Sequence, residues 1–196
     1  MCGYNKDLSI QIEEFEKIIM SNEIVKNILV KAVNLGLSDY YIGAGCIAQT
    51  IWNNQMNYSL INAISDIDFV YYDNSDLSCE KEDMIIKYIV KEITPCSIKL
   101  DIKNHARVHL LYEEHFGYKI KPYKSLEDAI NTWPTTATSI GVRLENSKMR
   151  IYSLFGLNDL FGMIVRPNKT QITEEIYVQK VNKWKAKWPT LKIIPW

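Results

Sequence analysis

Ser65–Asp73 reads SDIDFVYYD, and the fold turns on where its acids lie. Ile67 to Tyr72 is rich in β-branched and aromatic residues, the composition of a strand. Asp66 and Asp68 therefore open that strand instead of closing it. Residues i and i+2 of a strand point to one face, so the two carboxylates project side by side. Neighbouring like charges repel and need a cation or full solvation. A hard divalent ion, held by one or two carboxylates together with substrate phosphates, meets that need.

Upstream, Asp39–Trp52 reads DYYIGAGCIAQTIW. A short strand, Tyr40 to Ile42, runs into Gly43-Ala44-Gly45, and a helix is expected from Cys46 to Gln55. Such a loop suits phosphate, because a helix N-terminus presents free N–H groups and the positive end of its dipole. Gly43, Gly45 and Ala48 also satisfy G-x-G-x-x-A, and Asp73 ends the next strand about where a ribose-binding acid would lie. A Rossmann-type dinucleotide fold is thus a competing reading. It gives Asp66 and Asp68 no role and supplies no second parallel half of a sheet. Downstream, Ser97–Lys103 (SIKLDIK) alternates as a third strand, with Asp101 set between Leu100 and Ile102. A charge inside a core-type strand needs a site to face. Three carboxylates on two neighbouring strands suit metal-assisted phosphoryl transfer.

The remaining pattern supplies helices to cover a small sheet. Apolar residues recur at helical spacing from Ile12 to Val33 (Phe15, Ile18, Ile19, Val25, Ile28, Leu29, Ala32), as one long helix or two broken ones ending before Gly36. Ser78 opens a helix to about Ile93, Arg107 to Phe116 is another, and Ser125 caps a short one. Thr138–Glu145 and Met149–Ser153 read as a hairpin around Asn146-Ser147. Leu157 to Ile164 is expected to be helical. In the last helix Tyr177, Val181, Trp184 and Trp188 keep one apolar stripe, leaving Lys183, Lys185 and Lys187 elsewhere around it. An α/β (α+β) fold is expected: one domain over residues 1–196, a small mixed β-sheet, an N-terminal helix (about 10–35) and a C-terminal helix (about 174–188) packed on it.

Lys+Arg and Asp+Glu balance at 23 each, which argues against a dedicated nucleic-acid coat protein. Cys2, Cys46, Cys79 and Cys96 contain no C-x-x-C pair, so reduced thiols are expected in place of a zinc site. His105 and His109 stand at i, i+4, but no H-E-x-x-H pattern accompanies them. No apolar run reaches membrane-spanning length. A cytoplasmic protein without a membrane partner is expected.

G-x-G opening a helix, then SDIDFVYYD, then LDIK, resembles the DNA polymerase β-type nucleotidyltransferase superfamily. KNHARVHLLYEEHFG, WPTTATSIGVRLE, YSLFGLNDLFGMIVRPN and KWKAKWPTL bring it closer to a family of small bacterial nucleotidyltransferase-like proteins, akin to the head domain of CCA-adding enzymes. The resemblance runs from about Tyr41 to Leu191. It implies a nucleotidyltransferase fold and transfer of a nucleoside monophosphate from an NTP to an acceptor hydroxyl on RNA, protein or a small molecule. It implies that Asp66, Asp68 and Asp101 are the catalytic, metal-binding carboxylates, with Mg²⁺ or Mn²⁺ as the ion. Gly43, Gly45 and Cys46 would form the loop that holds the nucleotide. Lys103, Arg107 and Arg143 would contact its phosphates, with Asn104 and Arg166 as further candidates. CCA-adding enzymes usually carry Arg-Asp soon after their Gly-Gly motif, where this chain has Ala48-Gln49, and no helical body domain is expected here. Fold and reaction class therefore carry over more readily than tRNA 3′-end synthesis. The alternative of another class is a catalytically silent nucleotide-binding or interaction module of the same fold.

Overall fold

The computed structural model describes residues 3–196. The N-terminal apolar pattern forms two helices, α1 (Leu8–Ser21) and α2 (Glu23–Ala32). Asn22 breaks them: its Oδ1 accepts from the N–H groups of Ile24 and Val25 at 3.2 and 3.3 Å, an N-cap for α2. The break shifts the helical phase, so Phe15, Ile18, Ile19, Val25, Ile28, Leu29 and Ala32 are buried while Ile12 and Val33 are exposed. A left-handed Gly36 then releases the chain into β1 (Tyr40–Gly43). There follow α3 (Gly45–Gln55), β2 (Asp66–Tyr71), α4 (Cys79–Ile93) capped by Ser78, and β3 (Lys99–Asn104).

Beyond β3 come α5 (Val108–Phe116), stopped by left-handed Gly117, and α6 (Leu126–Ile130), capped by Ser125. The hairpin β4 (Ile140–Glu145) and β5 (Lys148–Ser153) turns at Asn146 and Ser147, both at positive φ as a two-residue loop between twisted strands requires. One expectation fails after it. The helix expected over 157–164 spans only Asn158–Phe161 (α7), because Met163 adopts φ +53 and turns the chain into β6 (Ile164–Val165). The chain closes with α8 (Glu174–Lys187) and β7 (Lys192–Ile193), which pairs in parallel with β6.

The main sheet has the order β3-β2-β1-β4-β5. β1 runs antiparallel to both β2 and β4, and only β2 and β3 are parallel, joined across α4. The Rossmann reading ends here. A dinucleotide-binding βαβ unit needs the strands flanking the Gly loop and its helix to be parallel, whereas those flanking α3 are antiparallel. Along β2 and β3 the side chains alternate: Ile67, Phe69, Tyr71 and Ile102 are buried on one face. Asp66, Asp68 and Asp101 take the other.

Helix α3 is the hub of the packing, with every residue from Cys46 to Asn53 buried. Trp52 meets Trp184 and Trp188 edge to face at 5.7 and 5.6 Å. Beside it, Asn53 forms a buried bracket. Its Oδ1 accepts from Trp188 Nε1 at 2.7 Å, and its Nδ2 donates to the carbonyls of Leu60 and Asn62 at 3.1 and 2.9 Å. These contacts fasten the end of α8 to the helix that follows the Gly loop. Asn53→Ala strands the Trp188 indole N–H and the Asn62 carbonyl and leaves the Leu60 carbonyl only its 3.5 Å bond from Asn22, and is expected to cost about 2–4 kcal/mol in urea unfolding. A loss below about 1 kcal/mol contradicts the bracket.

Candidate active site

One face of β2 and β3 forms the floor of a cavity of about 550 Å³. Asp66, Asp68 and Val70 come from β2; Asp101 and Lys103 come from β3, with His105 just beyond it. The parallel register sets Asp68 directly opposite Asp101, and on its other side Asp68 is opposite Gly43 of β1. Asp68 and Asp101, 33 residues apart in sequence, are thus brought to one wall by strand pairing, with Asp66 beside them by the alternation along β2.

The electrostatics at Asp68 are unfavourable for a charge. Burial first, then the charges of Asp66 and Asp101, push its carboxyl up to about 6, while Lys103 and Lys180 act in the opposite direction. Asp66 lies at the exposed rim and accepts from Ser65 Oγ at 2.9 Å. Asp101 is ion-paired with Lys103. Among the described residues no group of three or more His, Cys, Asp or Glu side chains is placed to hold a metal ion by itself. The donor set nonetheless fits a hard divalent ion. Three carboxylates share one wall, one of them is held up to about 6 by burial and then by its acidic neighbours, and Mg²⁺ is commonly held by one or two carboxylates with phosphates completing its shell.

The N-terminus of α3 meets the acids through Ala44 and Gly45, which line the cavity. Ala44 stands at φ 56, ψ −130 with no side-chain cap on the helix. That backbone region favours glycine, and holding alanine there costs about 1–3 kcal/mol. The uncapped first turn leaves N–H donors at the positive end of the helix dipole. Gly43 and Cys46 lie behind this surface. A Cβ at Gly43 would come within 2.6 Å of the Ile140 carbonyl oxygen and 2.8 Å of the Trp133 ring, so close packing requires glycine there. Cys46 is buried and donates from Sγ to the Gly43 carbonyl at 3.1 Å. Burial, then the Asp68 charge, push its thiol well up. Ala48 is fully buried in the core, while Gln49 lines the cavity with its Oε1 unpaired.

The expected arginines are not brought to this cavity. Arg107 is buried in an ion pair with Glu82 and also donates to the Leu77 carbonyl, beside an adjoining cavity of about 350 Å³ across Lys103 and Tyr112. Arg143 pairs with Asp39 at 3.1 Å and lies over the Tyr41 ring. Arg166 pairs with Asp159 at 2.8 Å. Asn104 brackets the backbone of Asp73, accepting its N–H and donating to its carbonyl. Each is committed to holding the fold. His105 lies in the turn between β3 and α5, outside the helix, and so shares no helical face with His109.

Lysines supply the cavity's positive charge instead. Lys180, Lys183 and Lys187 of α8 line it, with Trp184 among them. Their i, i+3, i+7 spacing is one face of a helix. Lys185 points elsewhere, donating to the carbonyls of Pro189 and Leu191 at 2.6 Å each. The apolar stripe of α8 sets the lysines apart in the sequence, but it does not mark Lys180 or the face that 180, 183 and 187 share. Their spacing is the signal that does.

A family model described as nucleotidyltransferase matches residues 31–193. The chain belongs to this nucleotidyltransferase family. A solved NMR structure reported to reveal a CCA-adding enzyme head domain is similar at a TM-score of 0.75 and 26% identity, covering 92% of this chain and 96% of that one. No curated protein matches. Family and fold together support a nucleotidyl-transfer function, and nucleotidyltransferases generally use divalent metals. Among the described residues, no helix of this nucleotidyltransferase is long and apolar enough to cross a membrane.

Because the Asp68 carboxyl is raised to about 6, the folded state favours its proton, and metal-free stability is lost as pH rises from about 4 through about 6. Asp68→Asn removes that cost. It is expected to gain about 1–2 kcal/mol near pH 7.5 in EDTA, allowing for solvent screening, and to gain nothing near pH 4. Urea unfolding at the two pH values checks this, and an equal effect at both contradicts it.

Proposed function

We propose that the protein transfers a nucleoside monophosphate from an NTP to an acceptor hydroxyl, in a reaction that depends on a divalent metal ion. The observation that carries this reading is the shared cavity wall of Asp66, Asp68 and Asp101, set between the N-terminus of α3 and the lysine face of α8. Asp66, Asp68 and Asp101 would hold the metal, Mg²⁺ or Mn²⁺. Bound there, such an ion supplies charge neutralisation for the triphosphate and the departing pyrophosphate.

The chain's own groups divide the remaining work. Ala44 and Gly45 bring the backbone of the α3 N-terminus to the phosphates, and Gly43 and Cys46 fix that turn from behind. Lys180, Lys183 and Lys187 face the negative charge that builds on the β- and γ-phosphates, and Lys103 adds a further cation from the floor. The acceptor oxygen forms its bond to the α-phosphorus as the bond to pyrophosphate breaks. Asp101 takes the acceptor's proton on a carboxylate oxygen, which requires it to part from Lys103. A substrate phosphate competing for that ammonium favours the exchange.

Turnover of labelled NTPs with Mg²⁺ or Mn²⁺, across RNA, protein and small-molecule acceptors, tests the proposal. Asp66→Ala and Asp68→Ala are expected to lower the rate by at least about 10²–10³-fold. Lys180→Ala and Lys183→Ala are expected to raise KM for NTP by about 3–10-fold, with Lys185→Ala within about twofold of wild type. Metal-dependent NTP binding without transfer to any acceptor would instead support a silent nucleotide-binding module.

A further inference from the structure

The cavity floor changes character along its length. Asp101, Lys103 and His105 alternate onto one face, and all three line the cavity. The His105 N–H donates to the Tyr71 carbonyl at 2.8 Å, the last bond of the β2–β3 ladder, and the chain then turns over 105–107. At about 3.3 Å per residue, His105 lies roughly 13 Å along the chain from Asp101. That is a separation a nucleotide can bridge when its phosphates lie at the acidic end.

The far end is aromatic. The His105 ring has Tyr123 and Trp133 as neighbours at centroid distances of 6.1 and 6.0 Å, and both line the cavity. His105 is only 8% exposed, yet its Nδ1 has no hydrogen-bond partner. A buried polar atom left unpaired is costly and needs a reason. Burial holds the imidazole down to about 4, so near neutral pH it is uncharged and offers one donor and one acceptor. Phosphoryl transfer at the carboxylates uses none of these three rings.

We propose that this end of the cavity is the subsite for the nucleobase of the incoming NTP, with Trp133 and Tyr123 against the base and His105 hydrogen-bonding its polar edge. The assignment rests on the nucleotidyl-transfer reading and adds base selectivity to it. Stacking on aromatic rings tolerates any base. Discrimination among bases therefore falls to the imidazole, whose donor and acceptor suit some base edges and leave others unpaired.

Calorimetric titration in Mg²⁺ with ATP, GTP, CTP, UTP and inorganic tripolyphosphate separates base from phosphate. Wild type is expected to bind at least one NTP about tenfold tighter than tripolyphosphate, with a spread of about fivefold or more among the four. His105→Phe keeps a ring in place without its nitrogens. It is expected to bring the four NTPs within about twofold of one another and to leave tripolyphosphate affinity unchanged. Equal wild-type affinities for NTPs and tripolyphosphate overturn the subsite, the outcome expected if these rings serve an acceptor base instead. A base preference that survives in His105→Phe overturns the role of the imidazole. Absence of metal-dependent binding for either ligand overturns the nucleotidyl-transfer reading and the subsite with it. ¹H–¹⁵N imidazole spectra of the wild type give a test independent of the variant's folding. The His105 ring signals are expected to move with the preferred NTP and not with tripolyphosphate, and unmoved signals contradict the proposal.

Discussion

The parallel pairing of β2 with β3 places Asp68 opposite Asp101, and the rest of the site is arranged around that juxtaposition. Strands side by side in this register hold two carboxylates at one height on one face, with Asp66 a step along the same wall. The opposite face buries Ile67, Phe69, Tyr71 and Ile102. A slip of one residue would drive acids into that core and apolar side chains into the cavity. The core therefore fixes the position of the charges, and the charges work against stability, since burial and its neighbours raise the Asp68 carboxyl to about 6. Perturbed, crowded carboxylates of this kind concentrate at functional sites, which is why the proposed chemistry is placed here.

Around that wall the other elements are set by neutral contacts. α3 is buried along its length, and its first turn opens on the acids at a strained Ala44. Trp52 and Asn53 hold Trp188 of the C-terminal segment, which fixes the phase of α8 and turns Lys180, Lys183 and Lys187 inward. Indole packing and one asparagine bracket thus decide where three positive charges stand. The cavity that results has an acidic wall, a basic helix face and an aromatic end. On the proposed reading these complement a metal-bound triphosphate with a base attached.

Much of this was legible in local pattern. The strand that begins with Asp66 and Asp68, the caps at Ser78 and Ser125, and the helix after Gly45 all follow from side-chain alternation, capping and glycine placement. Strand direction was not legible, because antiparallel β1 and parallel β3 have the same alternation; only the pairing separates a dinucleotide fold from this one. The short α7 escaped because an apolar run reads as helix until a single backbone reversal, at Met163, redirects it. Arg107 and Arg143 illustrate a different limit. A guanidinium serves a buried ion pair as well as it serves phosphate, and the carboxylates that claim them, Glu82 and Asp39, are distant in sequence. The lysines of α8 show the converse: helical spacing tells which residues share a face, but not what that face meets.

A crystal structure with Mn²⁺ and an NTP analogue that cannot release pyrophosphate tests the central claim most directly, because manganese is located by its anomalous scattering. The account predicts an anomalous peak within about 2.0–2.3 Å of carboxylate oxygens of Asp68 and of Asp66 or Asp101, with the nucleotide phosphates between the α3 N-terminus and α8. A peak held by other residues, or phosphates bound away from these carboxylates, would contradict it.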